Sequence, residues 1–367
     1  MENKQKVAIV VNYRQAAHLN VASIVADVPI FNWGSPGIGK SAMIKTIAQM
    51  YACDYNELRA AQLDPVDVKG VCKEVSGRTK FFPPDFLPNV GCQRTIMFLD
   101  ELNTAPKAVQ NAFLQLILDR QLGDYVLPKN VRLIAAGNRA SDNCWIQPLS
   151  DAMKNRFMHI ELSPTLEEWS TWAYRADSSY MNLPPASVLE TQIKPGINEK
   201  IIGFLHWRPA LLNQEGKNNA FATPRSWEML SRLMQVPVGD LYLKAAAVIG
   251  EGCAHEFNDF VEIYSGLNME HILAGKMDGI EKSKSSVVYA VITAYAHALN
   301  EGKKGHVAEF VSWIKSNQNN GEELLMVFLK CLSKDSLMGL VKSVPNMLKQ
   351  VEEILIDPQG EKEKKGK

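Results

Sequence analysis

Eight consecutive residues, Gly34-Ser35-Pro36-Gly37-Ile38-Gly39-Lys40-Ser41, carry the most specific chemistry in the chain. They satisfy the pattern G-x-x-x-x-G-K-[ST], in which glycines let the backbone wrap until successive N–H groups and a helix N-terminus face a phosphate. In such a loop Lys40 reaches the β- and γ-phosphates of a nucleotide and the Ser41 hydroxyl ligates Mg²⁺. A second cluster follows. The apolar run Thr95-Ile96-Met97-Phe98-Leu99 ends in Asp100-Glu101, two carboxylates at the carboxyl end of a buried strand, where open parallel sheets bind their ligands. Asp100 suits Mg²⁺ binding, directly or through water, and Glu101 suits polarising the water that attacks a γ-phosphate. Taken alone, the pair also reads as a solvated helix cap, because acidic residues favour helix starts.

These residues need a sheet to hold them, and the surrounding pattern supplies one. Short apolar runs alternate with amphipathic stretches, as expected of a parallel sheet covered by helices. Strands are expected at Ile30–Trp33, Glu57–Gln62, Thr95–Leu99, Val131–Ala136 and Phe157–Leu162. Helices are expected at Lys40–Tyr51, Pro106–Arg120 and Ser150–Asn155, with Pro106 in a first turn and Val109, Ala112, Phe113 and Leu116 at helical spacing. The Pro-, Gly- and charge-rich stretch 69–91 and the shorter 121–130 read as exposed hairpins. In the first of these, Phe81 and Phe82 are expected to pack the hairpin onto the core rather than stand in solvent.

After Pro164 the pattern turns helical. The chain divides by this reading into a nucleotide-binding α/β domain (1–163), a helical lid (164–265), a C-terminal helical domain (266–356) and a charged, disordered tail (357–367). Trp169 and Trp172 are expected to pack the lid helix, and His159 to be a satisfied core histidine.

The 367 residues are 46% hydrophobic and 22% charged, values of a soluble globular chain, which removes collagen-like and disordered classes. Forty basic and forty acidic residues give a net charge of +0, with no global attraction for nucleic acid or anionic lipid. No apolar run reaches the ~18 residues a membrane span needs. The chain reads as soluble and cytoplasmic, with its six cysteines as free, mostly buried thiols.

With the phosphate loop, the Leu99-Asp100-Glu101-Leu102-Asn103 strand end and the later strand closing in Gly137-Asn138, the chain resembles an AAA+ ATPase. Within that superfamily it is similar to the MoxR and chelatase-type branch, over roughly residues 27–235. The resemblance implies a P-loop NTPase sheet in the order 5-1-4-3-2, followed by an all-α lid. It implies ATP and Mg²⁺ as ligands, ATP hydrolysis, a homo-oligomeric ring, most simply a hexamer, and a protein or protein–metal client or a von Willebrand A-type partner. Asn138 falls at the sensor-1 position, where an amide both donates to and accepts from the attacking water. Arg156 falls at the arginine finger, which enters a neighbouring subunit's nucleotide, with Arg132 and Arg139 as competing candidates. Arg225 falls at the sensor-2 position of the lid. Two residues depart from the family pattern: Thr104 follows Asn103, and Arg139 rather than proline follows Asn138. Two other classes stay open on the residues alone, a nucleic-acid translocase and a nucleotide-gated interaction platform with slow hydrolysis.

Overall fold

The computed structural model describes residues 8–89, 91–122, 124–142, 146–175, 181–214, 218–317, 320–344 and 347. The expected tail at 357–367 lies outside them. Strands occur in chain order at Ile9–Val11 (β1), Ile30–Trp33 (β2), Asp54–Arg59 (β3), Val71–Val75 (β4), Arg78–Phe82 (β5), Thr95–Asp100 (β6), Gln121–Leu122 (β7), Tyr125–Val126 (β8), Val131–Gly137 (β9) and Met158–Leu162 (β10). Six of these form one sheet in the order β1-β10-β2-β9-β6-β3, every pairing parallel. Numbered by the five expected strands, β10-β2-β9-β6-β3 is the order 5-1-4-3-2. This is the order the resemblance implies, with one further edge strand.

That further strand, β1, escapes a reading by apolar runs because only three residues pair, Ile9 to Val11 against Ile160 to Leu162. The expected strand Glu57–Gln62 is displaced. Asp54 to Arg59 pair with Thr95 to Asp100, and Ala60–Gln62 forms a 3-10 turn instead. As an edge strand β3 keeps a single fully buried residue, Leu58, so its polar sequence gives neither an apolar run nor alternation. The central strands behave oppositely: β2 and β10 are buried along their whole length, as strands covered on both faces must be.

Helices of the first compact unit (residues 1–196 and 213–255) include Tyr13–Ala26 (α1), Lys40–Met50 (α2), Pro65–Lys69 (α3), Lys107–Asp119 (α4), Asp151–Lys154 (α5) and Leu166–Arg175 (α6). Pro106 is the N-cap of α4 rather than its first turn, and Val109, Ala112, Phe113 and Leu116 all face the core. Helices Pro224–Met234 (α8) and Leu241–Ile249 (α9) complete this unit, and Glu251–Ser265 (α10) begins in it.

The second unit comprises residues 197–212 and 256–367. Its described helices are Glu199–Trp207 (α7), the later part of α10, Met269–Leu273 (α11), Ser285–Asn300 (α12), Val307–Lys315 (α13), Gly321–Cys331 (α14) and Lys334–Ser343 (α15). Tyr295 stacks on Phe310 at 3.7 Å in its core, and Phe328 meets Phe310 edge-on at 5.2 Å. Helix α7 packs on α12 so closely that a Cβ on Gly203 would lie 2.4 Å from Thr293 Oγ1.

Both expected hairpins form, β4–β5 and β7–β8. Phe81 and Phe82, however, are 46% and 45% exposed rather than packed on the core. The hairpin is a two-stranded sheet with no third strand, so β5 has no covered face; the Lys73 ammonium instead sits 5.6 Å from the Phe82 ring centre. Trp169 is likewise 58% exposed, and the Trp172 side chain lies outside the described residues. Of the five described cysteines, all free, only Cys253 is fully buried, so burial is not the rule for these thiols.

Candidate functional site

The phosphate loop joins β2 to α2 at the carboxyl edge of the sheet. Gly39 caps α2 at φ 90°, a left-handed conformation that a side chain would strain. Lys40 is buried, and its Nζ donates to Gly34 O (2.6 Å), Ser35 O (3.0 Å) and Asn138 Oδ1 (3.1 Å). One ammonium thus ties the loop to the end of β9. Ser41 Oγ donates to Asp100 Oδ2 at 2.9 Å, so hydroxyl and carboxylate converge on one point. A hydroxyl and a carboxylate are hard oxygen donors, the kind of small protein contribution with which Mg²⁺ is held beside nucleotide phosphates. The residues present fit that ion.

Asp100 also orders its neighbour. Its Oδ1 accepts from the Glu101 N–H at 2.9 Å, and Glu101 O accepts from Thr104 N–H (3.0 Å) and Thr104 Oγ1 (2.8 Å). These bonds hold Glu101 at φ 55°, left-handed for a non-glycine residue, at a cost of roughly 1–2 kcal/mol. Asn138 is positioned by a residue whose role the sequence reading missed. The fully buried Asn103 amide donates to Asn138 O (2.7 Å) and accepts from Asn138 N–H (3.1 Å). This double bond requires close approach: a Cβ on Gly137 would lie 2.1 Å from Asn103 Oδ1. The available signal was an amide three positions after Asp100 and a glycine before Asn138.

Beside the loop lies a cavity of about 570 Å³, walled by Tyr13, Ile38, Ala42, Pro164, Leu166 and Trp169. Tyr13 Oη donates to Gly39 O at 2.9 Å, linking α1 to the phosphate loop. The Glu168 carboxylate accepts from Tyr13 N–H (3.1 Å), Arg14 N–H (3.0 Å) and Thr165 N–H (3.1 Å). It therefore caps the first turn of α1 from α6 and fixes two walls of the cavity together. None of these wall residues carries a spacing pattern that singles it out in the sequence.

The structure places the two remaining candidates elsewhere. Arg156 precedes β10, whose first residue Met158 donates from N–H to Pro29 O (2.8 Å) just before β2. It therefore stands at the amino edge of the sheet, with the length of β2, about 13 Å at ~3.3 Å per residue, between it and Gly34. Arg225 opens α8, whose N-cap Thr223 Oγ1 donates to Asn155 Oδ1 at 2.8 Å. The two arginines are neighbours: burial first, then the like charge of Arg225, holds the Arg156 pKa below the usual arginine value. Arg156 Nη1 donates to Ala152 O, while its Nε is buried with no hydrogen-bond partner among the described residues.

Its two rivals are engaged within the chain. Arg132 donates to Ile24 O (2.7 Å), Lys129 O (2.6 Å) and Val131 O (3.3 Å) and pairs with Asp27 at 3.5 Å. Arg139 lies at the phosphate-loop edge and pairs with Asp142 (3.0 Å) and Glu161 (2.9 Å). His159 is fully buried and satisfied, as expected: Trp33 Nε1 donates to its Nδ1 (3.0 Å), and its Nε2 lies 2.8 Å from Lys154 O.

Comparison with known proteins agrees with this geometry. Residues 30–157 match the AAA domain of the dynein-related subfamily. Over 154 residues the chain is 24% identical to "Chaperone MoxR1" of Mycobacterium tuberculosis, a match covering 41% of this chain and 40% of that protein. The matched region thus spans less than half of that relative's length. Among solved structures, a protein described as a putative ATPase from Cytophaga hutchinsonii is 17% identical with a TM-score of 0.44, over 72% of this chain and 88% of that one.

Proposed function

We propose that this AAA+ protein, MoxR-like in its sequence, binds ATP at the carboxyl edge of its sheet, hydrolyses it, and uses the cycle in a homo-oligomeric ring to remodel or activate a protein or protein–metal target. The observation that carries the reading is the convergence of Lys40, the Ser41–Asp100 pair and Asn138 on one edge, from three neighbouring strand ends. AAA+ domains bind nucleotide, usually with Mg²⁺, and members of the superfamily typically assemble as rings. Residues 34–41 wrap the phosphates, with Lys40 exchanging its carbonyl partners for phosphate oxygens. Ser41 and Asp100 would hold Mg²⁺, which draws charge from the β- and γ-phosphates when bound. Glu101 polarises the attacking water, and Asn138 orients it through its amide. The cavity beside Tyr13 and Trp169 takes the base, an apolar slot with polar walls already engaged.

Arg156 and Arg225 serve an adjacent subunit's nucleotide in this reading, since their own lies at the far edge. The parts at 1–163, 164–265 and 266–356 act as motor, lid and C-terminal helical domain. The relative named a chaperone supports a protein client, to which a von Willebrand A-type partner is one route. No helix among the described residues is long and apolar enough to cross a membrane, and a cytoplasmic site of action is part of the proposal.

The test separates binding from turnover. Lys40→Ala should abolish ATP binding in calorimetry, whereas Glu101→Gln should bind ATP as the wild type does and lose turnover by about 10²–10⁴. Equal loss of affinity in both variants contradicts the assignment. Wild-type turnover that stays below one per hour with every candidate client would favour the nucleotide-gated platform over the motor.

A further inference from the structure

The departure at Arg139 has a structural counterpart at the phosphate-loop edge. The chain ends β9 at Gly137, places Asn138 next, and then Arg139, whose side chain reaches across the sheet edge. Its Nη1 donates to Glu161 Oε1 (2.9 Å) near the end of β10, its Nη2 donates to Ser35 Oγ in the phosphate loop, and its Nε and Nη2 donate to Asp142 (3.0–3.3 Å). Ser35 Oγ in turn donates to Asp142 Oδ1 at 3.0 Å. Because the strand order is β10-β2-β9, one guanidinium spans the carboxyl ends of three adjacent strands, a reach of about 10 Å at ~4.8 Å per strand.

The contacts to the two carboxylates are charge-assisted. Glu161 and Asp142 are each 10% exposed at the side chain, so two largely buried carboxylates share one half-buried cation. Hydrogen bonds to Asp142 and Glu161 raise the Arg139 pKa, and Asp142, despite burial that works the other way, is held low by Arg139 and Ser35. With its donors committed to Asp142, Glu161 and Ser35, Arg139 is unsuited to reach a second subunit and suited to hold its own.

We propose that Arg139 is a positioning residue for hydrolysis: bridging β10, the phosphate loop and the segment after Asn138, it fixes the Asn138 amide relative to Ser35 and so to the γ-phosphate. The proposal rests on the ATP-hydrolysing reading above. A flat, five-donor fork can address three groups in three directions at once, whereas a lysine ammonium is a point charge on a flexible stem. Displacing an orienting group by about 1 Å costs on the order of 10²-fold in rate.

The experiment measures kcat and, separately, the Kd of a fluorescent ADP for the full chain carrying Arg139→Ala, Arg139→Lys, Ser35→Ala, and Arg139→Ala combined with Asn138→Ala. Arg139→Ala should lower kcat by about 10–100-fold with the ADP Kd within threefold of wild type, and Arg139→Lys should not restore it. Adding Arg139→Ala to Asn138→Ala should cost nothing further, because the amide it positions is gone. Ser35→Ala removes one end of the bridge without stranding a charge, so it should fold as the wild type and lower kcat several-fold. Additive losses in the double variant, full rescue by lysine, or a normal kcat in Ser35→Ala overturn the proposal while leaving ATP hydrolysis intact. A wild type that hydrolyses no ATP overturns the functional reading, and the proposal with it.

Discussion

The two edges of the parallel sheet are built on opposite principles. At the carboxyl edge Lys40 is bonded to Gly34 O and Asn138, Asp100 to Ser41, Asn138 to Asn103, and Arg139 to Ser35, Asp142 and Glu161. At the amino edge Arg156 and Arg225 lie close together with like charge, and Arg156 keeps a buried N–H that no group among the described residues accepts. A buried donor without a partner costs about 1–3 kcal/mol, a cost that an incoming acceptor would offset. The first edge is a bonded network within one chain, and the second is where the proposed ring would bring a neighbour's nucleotide.

The hardest way to break that comparison is at Arg156. Arg156→Ala should leave the ADP affinity of each chain unchanged and lower turnover by about 10³–10⁵, the contribution of a trans arginine in other nucleotide hydrolases. Mixing it with Lys40→Ala should restore part of the activity, since a mixed ring pairs an intact phosphate loop with an intact arginine. Silence in mixed rings verified by native mass spectrometry, or normal turnover in Arg156→Ala alone, would assign the amino edge to packing.

The next lever is pH, through a buried side chain between the central strands. His159 joins Trp33, which precedes the phosphate loop, to Lys154 O, two residues before Arg156. Burial, opposed by the hydrogen bond to Lys154, lowers its pKa from 6.5 to about 4. Between those values the unfolded chain binds the proton that the folded chain refuses. Stability is thus complete above about pH 6.5 and falls as pH drops toward 4, by about 3 kcal/mol in all. His159→Gln should flatten this slope in a melting-temperature series from about pH 7 to 4.5, and parallel curves for variant and wild type would refute it.

The smallest effect is expected at Arg225. Because it lies beside Arg156 rather than Lys40, Arg225→Ala should lower turnover by about tenfold, the value of one charge-assisted contact, and spare ADP affinity. A matched loss of ADP affinity would return Arg225 to its own chain's nucleotide.

What the sequence discloses of this arrangement follows its local signals. The phosphate loop and the acidic strand end are contiguous runs, so their chemistry and their place at strand ends are readable directly. The central strands are continuous apolar runs because both faces are covered, and they too are readable. Strand β3 is not, since an edge strand with DYNELR has no period to detect. Asn103, Glu168 and Arg139 act through partners 35, 155 and 22 positions away, and nothing short of the fold brings those partners together. The exposure of Phe81, Phe82 and Trp169 escaped for a related reason, as an aromatic's burial depends on whether a third layer exists to cover it.

The meeting of Gly137 and Asn103 also constrains the routes by which such a sequence can diverge. A first substitution at 137 would drive a carbon into the amide of Asn103, 2.1 Å from its oxygen, and dislodge Asn138 with it. A smaller residue at 103 relieves only part of the clash, because the Phe31 ring would still lie 2.8 Å from the same carbon. Inherited change at 137 therefore waits on change at both 103 and 31, and descendants that carry a larger residue at 137 should already differ at both positions.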